Sequence, residues 1–238
     1  MKRNIYSLLG FSLHATDGLL GTVEDFYFDD NSWTVRYLVV KIHRAFFNRK
    51  VLITPDSITP CWEDGAFPVN LTTEQILNSP DRNRHKPVSR HHEALLNSYY
   101  WQPYWDNGFY APASCDESND DFLNHRLLSD TAKLPMDDDR LQSTRQLIGY
   151  EVQATDGKIG RLTDFVIDDN IWKVTCLIVA ITEENGFRNV LIPVSNVKKI
   201  MFSESRIYLN ISTIAVAESE NLDTSKFTIP TENAGMYV

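Results

Sequence analysis

The chain has 238 residues, 42% of them hydrophobic and 23% charged, with a formal net charge of −9, which are ordinary proportions for a folded protein. The acidic balance runs along the whole length and leaves no basic footprint for a phosphate backbone, so nucleic acid is excluded as an expected partner. Cys61, Cys115 and Cys176 lie far apart with no CxxC pair, which argues against a disulfide scaffold or a structural zinc site and for a reducing, cytoplasmic setting.

The chain opens with Lys2, Arg3 and a short apolar run interrupted by Ser7, Ser12 and His14. That run is too short to span a bilayer and carries no cleavage site, so it reads as a first strand and no membrane insertion is expected. Phe11–Ala15 is a strand candidate, and Asp17-Gly18 is the turn after it, because Asp-Gly readily supplies the positive φ of a tight hairpin. The stretch from Gly21 to Phe28 is rich in β-branched and aromatic residues. Asp29-Asp30-Asn31 forms the next turn, and Trp33–Ile42 becomes continuously apolar at Leu38-Val39-Val40, the pattern of a strand covered on both faces. Arg49–Ile53 is stopped by Pro55, and weaker strands follow at Ile58–Trp62 and Phe67–Leu71. Thr72 and Gln75 have capping-box spacing for a short helix before Pro80.

This pattern occurs twice. Leu9–Ile53 aligns without a gap on Ile148–Ile192, with nearly half of the positions identical. Gly10 matches Gly149, Asp17-Gly18 matches Asp156-Gly157, Asp25 matches Asp164, Asp29 matches Asp168 and Trp33 matches Trp172. Such agreement marks an internal duplication. The second copy is expected to repeat the strands at Tyr150–Ala154, Ile159–Ile167, Trp172–Thr182, Arg188–Ile192, Val197–Phe202 and Arg206–Ile211. The fold expected is all-β: two small antiparallel six-stranded β-barrels in tandem, over residues 1–79 and 147–238, joined by a linker over 80–146.

The run G-x-x-h-x-A-T-D-G-x-h-G-x-h-x-D-F-x-h-D-D-x-x-W-x-h-x-h-L-h-V resembles the PRC-barrel family, in both copies. That family's barrel occurs in the H subunit of the photosynthetic reaction centre and in a bacterial ribosome-maturation factor. The resemblance implies the barrel fold; it implies turn and core roles, and no catalytic set, for the motif residues.

Between the copies the composition changes at Ser79-Pro80. A polar stretch leads to a helical segment over Ser89–Leu96, and then to seven aromatic residues among twelve: Tyr99, Tyr100, Trp101, Tyr104, Trp105, Phe109 and Tyr110. A plain spacer would be Gly/Ser-rich, so these rings are expected to pack on the barrels or to form an interaction surface. Phe46 and Phe47, in a loop whose second-copy counterpart lacks them, belong to the same candidate surface. Ser143, or one of the aspartates before it, is expected to set the start of the second barrel.

No nucleophile elbow, P-loop or dinucleotide fingerprint occurs, and His85, His91, His92 and His125 lack metal-site spacing. No catalytic residue, metal or cofactor is therefore expected. Asp25 and Asp164 stand inside otherwise apolar strands and must be hydrogen-bonded there, so structural capping is the expected role. The expected function is a non-enzymatic protein-interaction or assembly module whose partner is another protein or a second copy, including a homodimer. One alternative is a sensor that binds a small molecule or metal in the groove between the barrels. Another is an accessory protein of a photosynthetic-type electron-transfer complex.

Overall fold

The computed structural model describes residues 1–42, 49–59, 65–79, 141–183 and 186–217. Met1–Asn78 and Leu141–Val238 make up one unit of the chain, and Ser79–Arg140 a second whose residues from 80 onward lie outside the described ones. The aromatic segment Tyr99–Tyr110, the helical segment Ser89–Leu96, the Phe46-Phe47 loop and the tail beyond Ala217 also lie outside them.

The chain folds into strands, most of them on apolar, β-branched runs. In the first repeat these are β1 (Lys2–Asn4), β2 (Ser12–Ala15), β3 (Gly18–Phe28), β4 (Val35–Ile42), β5 (Lys50–Ile53) and β6 (Ala66–Pro68), then helix α1 (Thr73–Asn78). The second has β7 (Gln142–Ser143), α2 (Thr144–Leu147), β8 (Glu151–Gln153), β9 (Lys158–Asp168), β10 (Lys173–Glu183), β11 (Gly186–Pro193), β12 (Val197–Met201), β13 (Arg206–Leu209) and α3 (Thr213–Ala217). Thr72 and Gln75 exchange hydrogen bonds at the start of α1, with Thr72 N to Gln75 Oε1 at 2.9 Å and Gln75 N to Thr72 Oγ1 at 3.2 Å.

The architecture is mostly β, but it departs from two antiparallel barrels. The strands run β5-β4-β3-β2-β6 in one sheet and β11-β10-β9-β8-β13-β12 in the other. Neither sheet closes on itself among the described residues. The pairs β2–β6 and β8–β13 are parallel, with Ser12 beside Ala66 and Glu151 beside Arg206. The reason lies at Thr54-Pro55 and Pro193. There the chain turns a corner through a short 3-10 turn, Pro55–Ser57 in one copy and Val194–Asn196 in the other, and keeps its direction. A corner counted as a reversal yields strict alternation. Counted as a bend, it brings the last strand beside the first in the same direction.

Nor are the repeats separate. β1 pairs with β9 of the second repeat, and β7 pairs with β3 of the first. Residues 141–146, assigned above to the linker, thus belong to the body of the fold. One hydrophobic core runs through both copies, from Phe26, Phe28, Leu38 and Phe67 to Phe165, Leu177, Val179 and Ile207. Phe28 meets Phe165 at 5.8 Å between ring centroids, and Phe67 meets Trp172 at 6.0 Å. A repeat of this size alone buries little apolar surface, and a shared core enlarges it.

Neighbouring backbone comes close to β3 and β9 at one glycine each. A Cβ at Gly21 would stand 2.1 Å from the Lys41 carbonyl oxygen, and one at Gly160 would stand 1.9 Å from that of Ala180. Only glycine fits either place.

Candidate functional site

Of the residues singled out in the sequence, Asp25, Asp164, Trp33 and Trp172 meet at the junction between the repeats. On β3 the pairing shifts between Val23 and Asp25, so Glu24 is an extra residue there; on β9 the shift falls between Leu162 and Asp164. Each is a β-bulge, and a bulge re-aims the side chain that follows it. That is how an aspartate sits in an apolar strand without breaking the alternation on either side.

Asp25 is 6% exposed and points at the segment that precedes the second repeat. Ser143 Oγ donates to its Oδ2 at 2.5 Å, and Thr144 Oγ1 and the Arg145 amide donate to its Oδ1 at 3.0 and 3.1 Å. Asp164 is also 6% exposed and makes the converse arrangement. Asn4 Nδ2 donates to its Oδ2 at 3.2 Å, and the Tyr6 amide reaches both oxygens, at 3.1 and 3.2 Å. Each carboxylate also accepts from the next amide in its own strand, Phe26 or Phe165, at 2.8 Å.

The two carboxylates therefore hold the arms that lead into the opposite repeat. The first arm is β1 with a 3-10 turn over Ile5–Leu8; the second is β7 with α2. Ser143 serves twice, since its Oγ also accepts from Gln146 N at 3.1 Å as the N-cap of α2. Ile5, Leu8, Thr144 and Leu147 are buried beneath the arms.

The partners differ in kind. Asp25 receives two hydroxyls, whereas Asp164 receives one side-chain amide. Asn4 Oδ1 is buried with no hydrogen-bond partner among the described residues. Burial pushes the Asp164 carboxyl up to about 6, against the opposing pull of the Phe165 and Tyr6 amides and Asn4.

The Asp-Asp-Asn turns flank the same junction. Asp29 accepts from Asn31 N at 3.0 Å and Ser32 Oγ at 2.8 Å, and Asp168 accepts from Asn170 N at 3.1 Å. Asp169 holds Arg3 Nε at 2.9 Å and the Met1 amine, while its counterpart Asp30 accepts from Gln142 Nε2 at 3.4 Å. Burial opposes ionisation of Asp168, yet the Asn170 bonds and the Met1 amine hold its pKa below the usual carboxylate value.

Trp33 and Trp172, with φ of 60° and 47°, occupy the left-handed region that bulky residues avoid. Val35 N donates to Trp172 O at 2.7 Å, Val174 N donates to Trp33 O at 2.8 Å, and Thr34 bridges Lys173. Trp33 also stacks on Phe28 at 5.4 Å.

Asp17 and Asp156 do more than turn the chain. Asp17 accepts from Thr73 N and Oγ1, both at 2.7 Å, and Asp156 accepts from the same groups of Thr213 at 2.7 and 2.9 Å, so each caps the short helix closing its own repeat. The Thr213 amide leads in drawing the Asp156 carboxyl below its ordinary value. Gly18 takes the positive φ expected, at 145°, but Gly157 does not adopt a positive φ.

Sequence reading missed the arms themselves. Asn4, Tyr6, Thr144 and Arg145 gave no signal, because two unlike segments perform one role. The available clue was the register, which carries past Gly10 and Gly149 to align Asn4 with Ser143 and Leu8 with Leu147.

Among the described residues no group of His, Cys, Asp and Glu is placed to hold a metal ion, and no helix is long and apolar enough to cross a membrane.

The class of structure is thus a mostly β pair of mixed sheets, interlocked through exchanged arms. Residues 142–215, from the second arm to α3, match the family model of the PRC-barrel domain. No curated protein matches the chain.

Proposed function

We propose that the chain is a non-enzymatic interaction and assembly module of two PRC-barrel-like domains, whose partner is another protein or a second copy. The observation that carries this reading is the reciprocal arm exchange. The unpaired edge of β9 or β3 takes up a short strand from elsewhere in the chain, and a buried aspartate fixes its register, as when an added strand binds a sheet edge. The carboxylates that could have served chemistry are engaged in this structural work. The PRC-barrel match at residues 142–215 agrees with an assembly role. The aromatic segment Tyr99–Tyr110 and the pair Phe46-Phe47 are the surfaces we assign to a partner, on composition alone.

Affinity capture with full-length protein, read by mass spectrometry and backed by light scattering, tests the reading. A stoichiometric partner or a defined oligomer, weakened by Trp101→Ala with Trp105→Ala, is the expected result. A monomer that retains nothing would remove it.

A further inference from the structure

The two arms have different sequences, Arg3-Asn4-Ile5-Tyr6-Ser7-Leu8 and Gln142-Ser143-Thr144-Arg145-Gln146-Leu147, yet they fill equivalent slots. Arg3 lies beside Ile167 and Asn4 beside Val166; Gln142 lies beside Phe28 and Ser143 beside Tyr27. The first residue of each arm gives a side-chain bond to the second aspartate of the turn, Asp169 or Asp30. The next donates to the buried strand aspartate, and a leucine four positions on is wholly buried. A glycine with φ of 84° or 90°, Gly10 or Gly149, then turns the arm into its own repeat. Two examples within one molecule define what a slot accepts: a polar residue, a short hydrogen-bond donor, a residue that can be buried, and Leu at the fourth place after the donor.

We propose that the slot along β9, closed by Asp164, is a peptide-recognition site that also accepts the Lys2–Leu8 arm of a second copy, so that two chains assemble by exchanging arms. This rests on the assembly reading above and names its partner and surface. The slot does not distinguish its own arm from an identical one, because the bonds are the same in both. Intramolecular docking is favoured only by effective concentration. The β9 slot makes the fuller set of contacts with its arm. Asp164 accepts from the Asn4 side-chain amide and the Tyr6 amide, and Asp169 accepts from Arg3 and the Met1 amine, whereas beside Asp25 the second aspartate, Asp30, receives one longer bond from Gln142. Asn4 Oδ1 stays buried without a hydrogen-bond partner among the described residues, which weakens the docked state relative to the solvated one and leaves it exchangeable.

Lys2 and Asp168 face each other across β1 and β9 and report the exchange. With Cys61, Cys115 and Cys176 replaced by Ser, full-length chains carrying Lys2→Cys alone and Asp168→Cys alone are mixed at high concentration and mildly oxidised. A disulfide-linked heterodimer joining residue 2 of one chain to residue 168 of the other is expected. An intramolecular link in the doubly substituted chain, with no heterodimer from the mixture, would overturn the proposal. A fluorescent peptide with the sequence of residues 1–10 gives a second readout on the unsubstituted protein. Saturable binding is expected, weakened about tenfold or more when the peptide carries Asn4→Ala, the loss that one charge-assisted hydrogen bond implies. Binding indifferent to that change, or none at all, counts against a sequence-reading slot. Association of chains in light scattering without the cross-chain link would reject arm exchange and leave the assembly reading standing. The link without any other partner or stable oligomer would show that the slot accepts a second arm, and would remove both assembly through it and the assembly reading.

Discussion

The amide of Val35 donates to the carbonyl oxygen of Trp172 at 2.7 Å, and the amide of Val174 returns the bond to Trp33 at 2.8 Å. Each tryptophan holds a left-handed conformation to present that carbonyl, a strain of order 1 kcal/mol or more that persists because the surrounding contacts fix it. An interface in which residue i meets j and j's counterpart meets i's is isologous, the geometry of a twofold dimer. Here it lies within a single chain.

Asp25 should be among the most sensitive positions. Asp25→Ala leaves Ser143, Thr144 and the Arg145 amide without their acceptor, with a cost of about 3 kcal/mol in urea unfolding. Ser143→Ala should cost about 1 kcal/mol, and the double substitution should fall short of the sum, since both remove one interaction. Strict additivity would show that the two residues are not coupled.

Asp164 should impose a pH dependence of uncommon sign for a carboxylate. Its folded value of about 6 lies above the ordinary 3.8, so the folded state holds the proton more tightly. The stabilisation from that proton is fully present below the unfolded value and is lost as pH rises through about 6. The loss is on the order of 2–3 kcal/mol. Measured by urea unfolding between pH 4 and 7, wild type should lose stability relative to Asp164→Asn as pH rises. A gap that stays constant with pH would contradict the burial of this group.

Gly21→Ala and Gly160→Ala should each destabilise by about 2–4 kcal/mol, because the new methyl group meets a backbone carbonyl that cannot step aside. Gly157→Ala is the control. Its nearest neighbour would be Thr213 Cγ2 at 3.7 Å, so the change should be neutral or stabilising by up to about 1 kcal/mol. Thermal unfolding of the three variants decides whether close approach or turn conformation governs these glycines.

Cys176 is half-buried on β10, and burial raises its thiol above the usual value. Iodoacetamide at neutral pH should modify it more slowly than a free thiol, since thiolate is the reacting form. Peptide-resolved mass spectrometry should show the rate rising once urea unfolds the chain. Equal rates in the two states would place Cys176 in solvent.

The strands, the Asp-Gly and Asp-Asp-Asn turns and the doubling of the unit could be read from residues alone, because alternation, turn chemistry and repetition are local or periodic signals. The continuous apolar run Leu38-Val39-Val40 announced a strand covered on both faces in the same way. The sequence also marked Asp25 and Asp164 as needing partners, since a carboxylate in an apolar strand has no other way to be tolerated. It could not say which partners. Asn4 and Ser143 lie more than a hundred residues from the aspartates they serve, and no local preference encodes a pairing at that distance. Likewise Pro55 signalled the end of a strand but not whether the chain would reverse or bend, and that choice made β2 and β6 parallel. Tertiary structure alone decided that the repeats would share one core and exchange arms, because the energy that selects this arrangement comes from apolar surface and backbone edges that neither repeat can cover by itself.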